Sequence, residues 1–235
     1  MTTRKRISVI ALLMTVAAGV LSPAAEAAAT RYITVSAQGV VKVVPDAVRI
    51  SATATAVAAT SKEALAATSK TATAVRAALK AAKIDTKDIA TQSVSVYPEY
   101  KYTNDGGSTL TGYRGSQSFT ITVRAADSAG ALVDSLVAAG GDNLQINGAT
   151  PFVLDSTKSL EAARAAAVKS AKAKASSYAK LMGVKLGKVN YLVENSAPSN
   201  YTPVMAVAKA ESDATVIDLG QQDVTIAVTV QWALL

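Results

Sequence analysis

Two periods take turns along this chain, and the points where one gives way to the other outline its elements. Tyr32 to Val44 is rich in β-branched residues and reads as a strand, stopped by Pro45-Asp46. From Ala47 the period is two. Val48, Ile50, Ala52 and Ala54 fall on one side, and Arg49, Ser51, Thr53 and Thr55 on the other, the mark of a half-buried strand. These two segments predict an antiparallel pair. The period then lengthens. Between Ser61 and Lys83, Ala64, Leu65, Thr68, Ala72, Val75, Leu79 and Ala82 share one helical face. Lys62, Lys70, Thr73, Arg76 and Lys80 share the other, so this is an amphipathic helix. Thr60, with Glu63 three residues on, has better capping-box spacing than Ser61.

Alternation returns over Gln92–Tyr102 and Tyr113–Arg124, where Phe119, Ile121 and Val123 point one way. Asn104-Asp105-Gly106-Gly107 between them is turn chemistry, so the two runs predict a hairpin with a mobile tip. A short helix is expected over Ser128–Ala139, ended by Gly140-Gly141, and a strand over Leu144–Leu154. The longest helix runs from about Thr157 to Met182 and stops at Gly183; Gly187–Val193 is again a strand. Asn195–Ala214, with Pro198 and Pro203, has no clear period and reads as a loop or insertion. The last strand is the cleanest: Val224, Ile226, Val228, Val230 and Trp232 alternate with Asp223, Thr225, Thr229 and Gln231. The predicted class is α+β: an antiparallel sheet with two long helices packed on one face, plus a shorter helix. The other face, mostly Thr and Ser, is either solvated or covered by another subunit.

The N-terminus changes the picture of where this fold works. Arg4, Lys5 and Arg6 precede an apolar run from Ile7 to Leu21, then Pro23 and small residues to Ala29. That order is a secretory signal peptide over residues 1–29, cleaved after Ala27 or Ala29. The run is short for a bilayer span, which needs roughly 20 residues. One soluble domain over residues 30–235 is expected, exported to the periplasm or the cell exterior. The chain has 235 residues and no cysteine, so packing alone holds it. Its net charge is +7. Export makes nucleic acid an unsuitable partner, leaving solubility, an anionic envelope polymer or a membrane surface as the use of that charge.

Candidate chemistry is limited by what is missing. Without histidine or cysteine, a Ser-His-Asp triad, a thiol nucleophile and the usual zinc sites are excluded. No cofactor or metal is implied. Thiol-based peroxide reduction is excluded too; after cleavage Met182 and Met205 are the remaining sulfurs. Ser177-Tyr178-Ala179-Lys180 fits Ser-x-x-Lys, but neither Ser-Asp-Asn nor Lys-Thr-Gly accompanies it. Scattered acids leave a carboxylate-based hydrolase of a cell-wall polymer as an alternative.

Two features remain. On a helical wheel Arg164 falls among Leu160, Ala167, Ala171, Tyr178 and Met182, the apolar stripe of the long helix. A buried arginine needs a partner, so a structural salt bridge to Asp46, Glu99 or Asp155 is expected. Lys158, Lys169, Lys172 and Lys180 cluster opposite. The second feature is the hairpin, where Tyr97, Tyr100, Tyr102 and Tyr113 sit with Arg114. Aromatics pair across strands, so the cluster reads as hairpin packing that also meets a neighbouring subunit. A small-ligand or glycan platform is the alternative.

The motifs also carry a resemblance. Val35 through Gly39, Pro45-Asp46, Asp88-Ile89 with Thr91, Tyr97-Pro98 with Tyr100, Gly112-Tyr113-Arg114, Ala163-Arg164, Gly183 with Gly187, and the final Val-x-Val strand occur in order. Together they resemble the SIMPL-domain family of exported bacterial proteins, which includes YggE-like oxidative-stress defence proteins. The resemblance covers about Tyr32 to Leu235 and departs mainly in Asn195–Ala214. It implies an α+β fold and, for some members, ring-like or channel-like oligomers. It carries no catalytic residue set. A non-enzymatic exported protein, acting by binding or homo-oligomeric assembly in envelope or oxidative-stress defence, is therefore the expectation.

Overall fold

β1 (Tyr32–Val43) runs through Val44, Pro45 and Asp46 into β2 (Ala47–Ala58), yet the two strands do not pair. Pro45 is locked at a negative φ and cannot take the positive φ that a tight two-residue hairpin turn needs. Asp46 instead accepts a hydrogen bond from the Leu154 N–H at 2.8 Å. The expected pair is thus split between two sheets. The structure is a computed structural model and describes residues 31–102, 105–195, 203–204 and 214–235. The leader with its cleavage positions, Asn104 at the hairpin tip, Met205 and most of Asn195–Ala214 lie outside the described residues.

After β2 come α1 (Ser61–Ala81), β3 (Ile89–Tyr102), β4 (Ser108–Val123), α2 (Ala129–Gly140) and β5 (Leu144–Phe152). They form a central unit that is continuous in the chain, with an antiparallel sheet in the order β3-β4-β2-β5. The chain goes on through α3 (Thr157–Leu181), β6 (Leu186–Glu194), β7 (Pro203–Val204) and β8 (Gln221–Leu234). These complete a terminal sheet with β1, in the order β1-β8-β6, with β7 also beside β8. The fold is α+β, as expected. The strands, however, make two sheets, and the helices divide between them: α1 and α2 cover the central sheet, α3 the terminal one.

Each sheet buries one face. Val48, Ile50, Phe119 and Ile121 meet Val75 and Leu79 of α1 and Leu132 and Leu136 of α2. In the terminal unit Val224, Ile226, Val228, Val230 and Trp232 meet Ala163, Ala167, Ala171 and Ala175 of α3. That helix presents alanines four apart, so its backbone settles close to the strands. Gly39 of β1 lies under it: a Cβ there would be 2.1 Å from the Ala163 carbonyl oxygen. Gly115 of β4 serves α1 the same way, with Thr68 Oγ1 at 2.4 Å from such a Cβ.

The opposite faces are polar and cross-linked by side chains. Ser36 bonds Thr229 at 2.9 Å and Gln231 donates to Thr34 at 3.1 Å across the terminal sheet. Thr53 bonds Ser118 at 3.2 Å and Asn147 donates to Thr53 at 2.7 Å across the central one. Thr60 caps α1 with a full capping box, as its spacing predicts. The units are joined beyond the β1–β2 run: Ile217 and Leu219 pack on the central core, and Gln222 Nε2 donates to the Pro151 carbonyl at 2.7 Å.

Before β3, Asp88 takes both Nε and Nη2 of Arg124 at 2.8 Å, tying the start of β3 to the end of β4. The Arg124 hydrogen bonds hold the Asp88 carboxyl below its ordinary value and hold the guanidinium above its own. A carboxylate with a depressed folded pKa stabilises the fold above its unfolded value and stops doing so as pH falls through the folded one. Asp88→Asn is therefore expected to lower the urea midpoint at pH 7. The gap to the parent should begin to narrow as pH falls below about 4. Urea titrations at pH 7 and pH 3 check this; an equal gap at both would contradict it.

Candidate functional site

The β3–β4 hairpin is longer than the sheet that supports it. β4 pairs with β2 from Tyr113 to Val123, and Ala58 opposite Tyr113 is the last residue of β2. Beyond that point Glu99 to Tyr102 and Ser108 to Gly112 pair only with each other, as a two-stranded arm. A bulge between Glu99 and Tyr100 re-aims it. β3 is also an edge strand along its whole length. α1 lies over β2 and β4, which leaves β3 almost without cover.

Alternation divides the predicted cluster between the two faces. Phe119, Ile121 and Val123 point at the helices, and Tyr113 is in phase with them, opposite Pro98. Arg114, one residue on, lies with Ser116 and Ser118 on the polar face, and Tyr97 is its cross-strand partner. Arg114 Nε donates to Glu99 Oε1 in a half-buried ion pair. The hydrogen bond to Glu99, with a small contribution from Tyr97, holds the guanidinium above its ordinary value. Thr111 Oγ1 donates to the Glu99 carbonyl at 3.0 Å, bracing the root of the arm. Tyr97 and Tyr100 are about half exposed and Tyr102 is 78% exposed. Val94 and Leu110 add exposed apolar surface. The arrangement can offer ring faces and an open strand edge; the Arg114–Glu99 pair is internally neutralised, and Lys101 adds a further cation on the arm.

Arg164 is not on a buried stripe. The buried row of α3 is Ala163, Ala167, Ala171, Ala175 and Ala179, one residue away. Arg164 heads the row beside it and donates from Nε to Glu194 at the end of β6 at 2.9 Å. Glu194 was none of the three expected carboxylates. Glu99 serves Arg114, Asp46 caps Leu154, and Asp155 accepts from Thr157 at 2.9 Å. Tyr178 and Met182 are exposed on α3, away from the core where the wheel put them. Ser177 and Lys180 also sit on the exposed side of α3. Among the described residues no group of acidic side chains has the arrangement to hold a metal ion. No helix among them is long and apolar enough to cross a membrane.

The profile of one protein family, SIMPL, described as a protein of unknown function (DUF541), matches residues 33–232. The chain belongs to the SIMPL family. That match runs through both sheets, from β1 to Trp232 of β8. Among the proteins this chain is similar to, the 26 kDa periplasmic immunogenic protein of Brucella melitensis is 29% identical over 211 residues, covering 84% of this chain and 82% of that one. YggE of Edwardsiella ictaluri is 31% identical over 150 residues, 61% of each chain. YggE of Escherichia coli is 32% identical over 133 residues, 55% of this chain and 52% of that one. The YggE proteins are themselves described as uncharacterized.

Proposed function

We propose that this SIMPL protein is exported to the envelope and acts without catalysis, by assembling with further copies of itself through the β3 edge and the arm. Its part in envelope or oxidative-stress defence is then mechanical, since the chain holds no thiol to reduce an oxidant. The observation that carries this reading is the unsupported arm. A two-stranded ribbon is marginally stable in water by itself, and this one exposes Tyr100, Tyr102 and Leu110. A second copy adding a strand to β3 satisfies its free N–H and C=O groups and covers those rings at once. The N-terminal leader pattern and the periplasmic name of the Brucella relative support the location.

Light scattering on the mature chain, resolved by size-exclusion chromatography, tests this. The parent is expected to elute above monomer mass. Val94→Lys with Tyr100→Ser, both at exposed positions, is expected to return it to monomer with its far-UV circular dichroism unchanged and its unfolding temperature no longer dependent on protein concentration. A parent that stays monomeric at every concentration ends the reading.

A further inference from the structure

The central sheet carries two helices and the terminal sheet carries one. α3 lies over β1 and β8 and barely touches β6. The uncovered strip is a groove of about 530 Å³. Its floor is Val230 and Trp232 of β8, one wall is Val168 and Lys172 of α3, and the other is Val189 and Leu192 of β6. Val168, Val189 and Leu192 are each 41 to 54% exposed, although they line one apolar trough. That size lies within the range of small-molecule sites, which are mostly apolar with a few fixed polar groups.

Lys172 is the charged residue among those lining the groove. Residues four apart on α3 form the row Arg164, Val168, Lys172, Ser176, Lys180. Arg164 is taken by Glu194. Lys172 and Lys180 form no ion pair among the described residues, and no carboxylate lines the groove. An apolar trough with an unneutralised ammonium at its lip is complementary to a molecule with an apolar body and one anionic end.

We propose that the α3–β6 groove binds a single acyl chain bearing an anionic head, with the chain along Trp232, Val189 and Leu192 and the head at Lys172. A free fatty acid and a lysophospholipid share that chemistry. The lysine stem lies along the chain while its ammonium stays at the wet rim, and the carboxylate or phosphate accepts a charge-assisted hydrogen bond there.

Trp232 is the single tryptophan of the protein and forms the groove floor, so it reports occupancy directly. Titration of the mature chain with 9,10-dibromostearate is expected to quench its fluorescence saturably. Lys172→Glu is expected to weaken that binding by about tenfold or more, because attraction becomes repulsion at the head. Lys169→Glu, the same change of net charge on the outward row of α3, should leave it within about twofold. Leu192→Glu, at an exposed wall position, should abolish it with circular dichroism unchanged. Displacement of the probe by oleate or by lysophosphatidylglycerol tells which head is preferred, and either supports the site. Unsaturable quenching, equal displacement by neutral monoolein, or equal weakening by Lys169→Glu and Lys172→Glu would overturn it.

Discussion

Gly39→Val is expected to detach α3 from the terminal sheet and leave the central unit folded. Valine favours strands, so the local preference of β1 improves with this change. The loss is therefore steric. The first added carbon alone would lie 2.1 Å from the Ala163 oxygen and 2.3 Å from the Ala167 nitrogen. Those are backbone atoms in mid-helix, and no rotamer moves them. Relief requires lifting α3, which parts the alanine row from Val228 and Val230 along its length. Overpacking against movable side chains costs about 1–3 kcal/mol; against a helix backbone the cost is expected to exceed that range. Trp232 lies in this core, so its emission should shift to the red without denaturant. Far-UV circular dichroism should keep the contribution of α1 and α2. Native emission in the variant, with an unchanged urea midpoint, would refute the close approach.

Phe119→Ala is expected to have the opposite reach, unfolding both units together. The ring is 1% exposed, packed among Ile50, Val75, Leu79 and Leu136, with the Arg76 guanidinium 5.0 Å from its centroid. Truncating such a residue costs about 3–5 kcal/mol, a large part of the 5–15 kcal/mol that holds a typical domain. The terminal sheet should follow because its anchors rest on the central core. β1 enters directly from β2, and Ile217, Leu219 and Gln222 hold the start of β8 there. Urea titrations read by Trp232 emission and by circular dichroism should therefore shift to one lower, shared midpoint. A Trp232 midpoint that stays at the parent value would show the terminal sheet to be independent.

Most of the elements were legible because period and punctuation agree locally. Thr60 with Glu63 places the start of α1, and Gly183, at φ +69°, ends the α3 turn. The alternation from Val224 to Trp232 is the buried face of β8. Pairing was less legible. β1 and β2 are neighbours in sequence with matching alternation, and nothing in either strand says that β1 belongs with β8, the last strand of the chain. Arg164 was misplaced for a related reason. The wheel gave weight to Leu160, Tyr178 and Met182, the large apolar side chains, while the buried row is alanine. Alanines four apart above a strand glycine, as at Gly39, are the signal that a helix approaches by its backbone. Glu194 could not be picked as the partner of Arg164, because the position of β6 beside α3 is a tertiary fact. The hairpin itself was evident, but its overhang past Ala58 depends on where β2 stops.

The terminal sheet draws β1 from one end of the chain and β8 from the other, with Tyr32 opposite Ala233. A polypeptide made from its N-terminus must therefore hold β1 open while everything up to the last strand is still arriving. The central unit, being continuous, can close first and act as a template. The pairing of β1 with β8 is therefore expected to come late in folding, because closing so long a loop carries a large entropic cost before its contacts form. Until it happens Val35, Val41 and the α3 alanines stand in water, which makes this interval the time when a chaperone would engage the molecule.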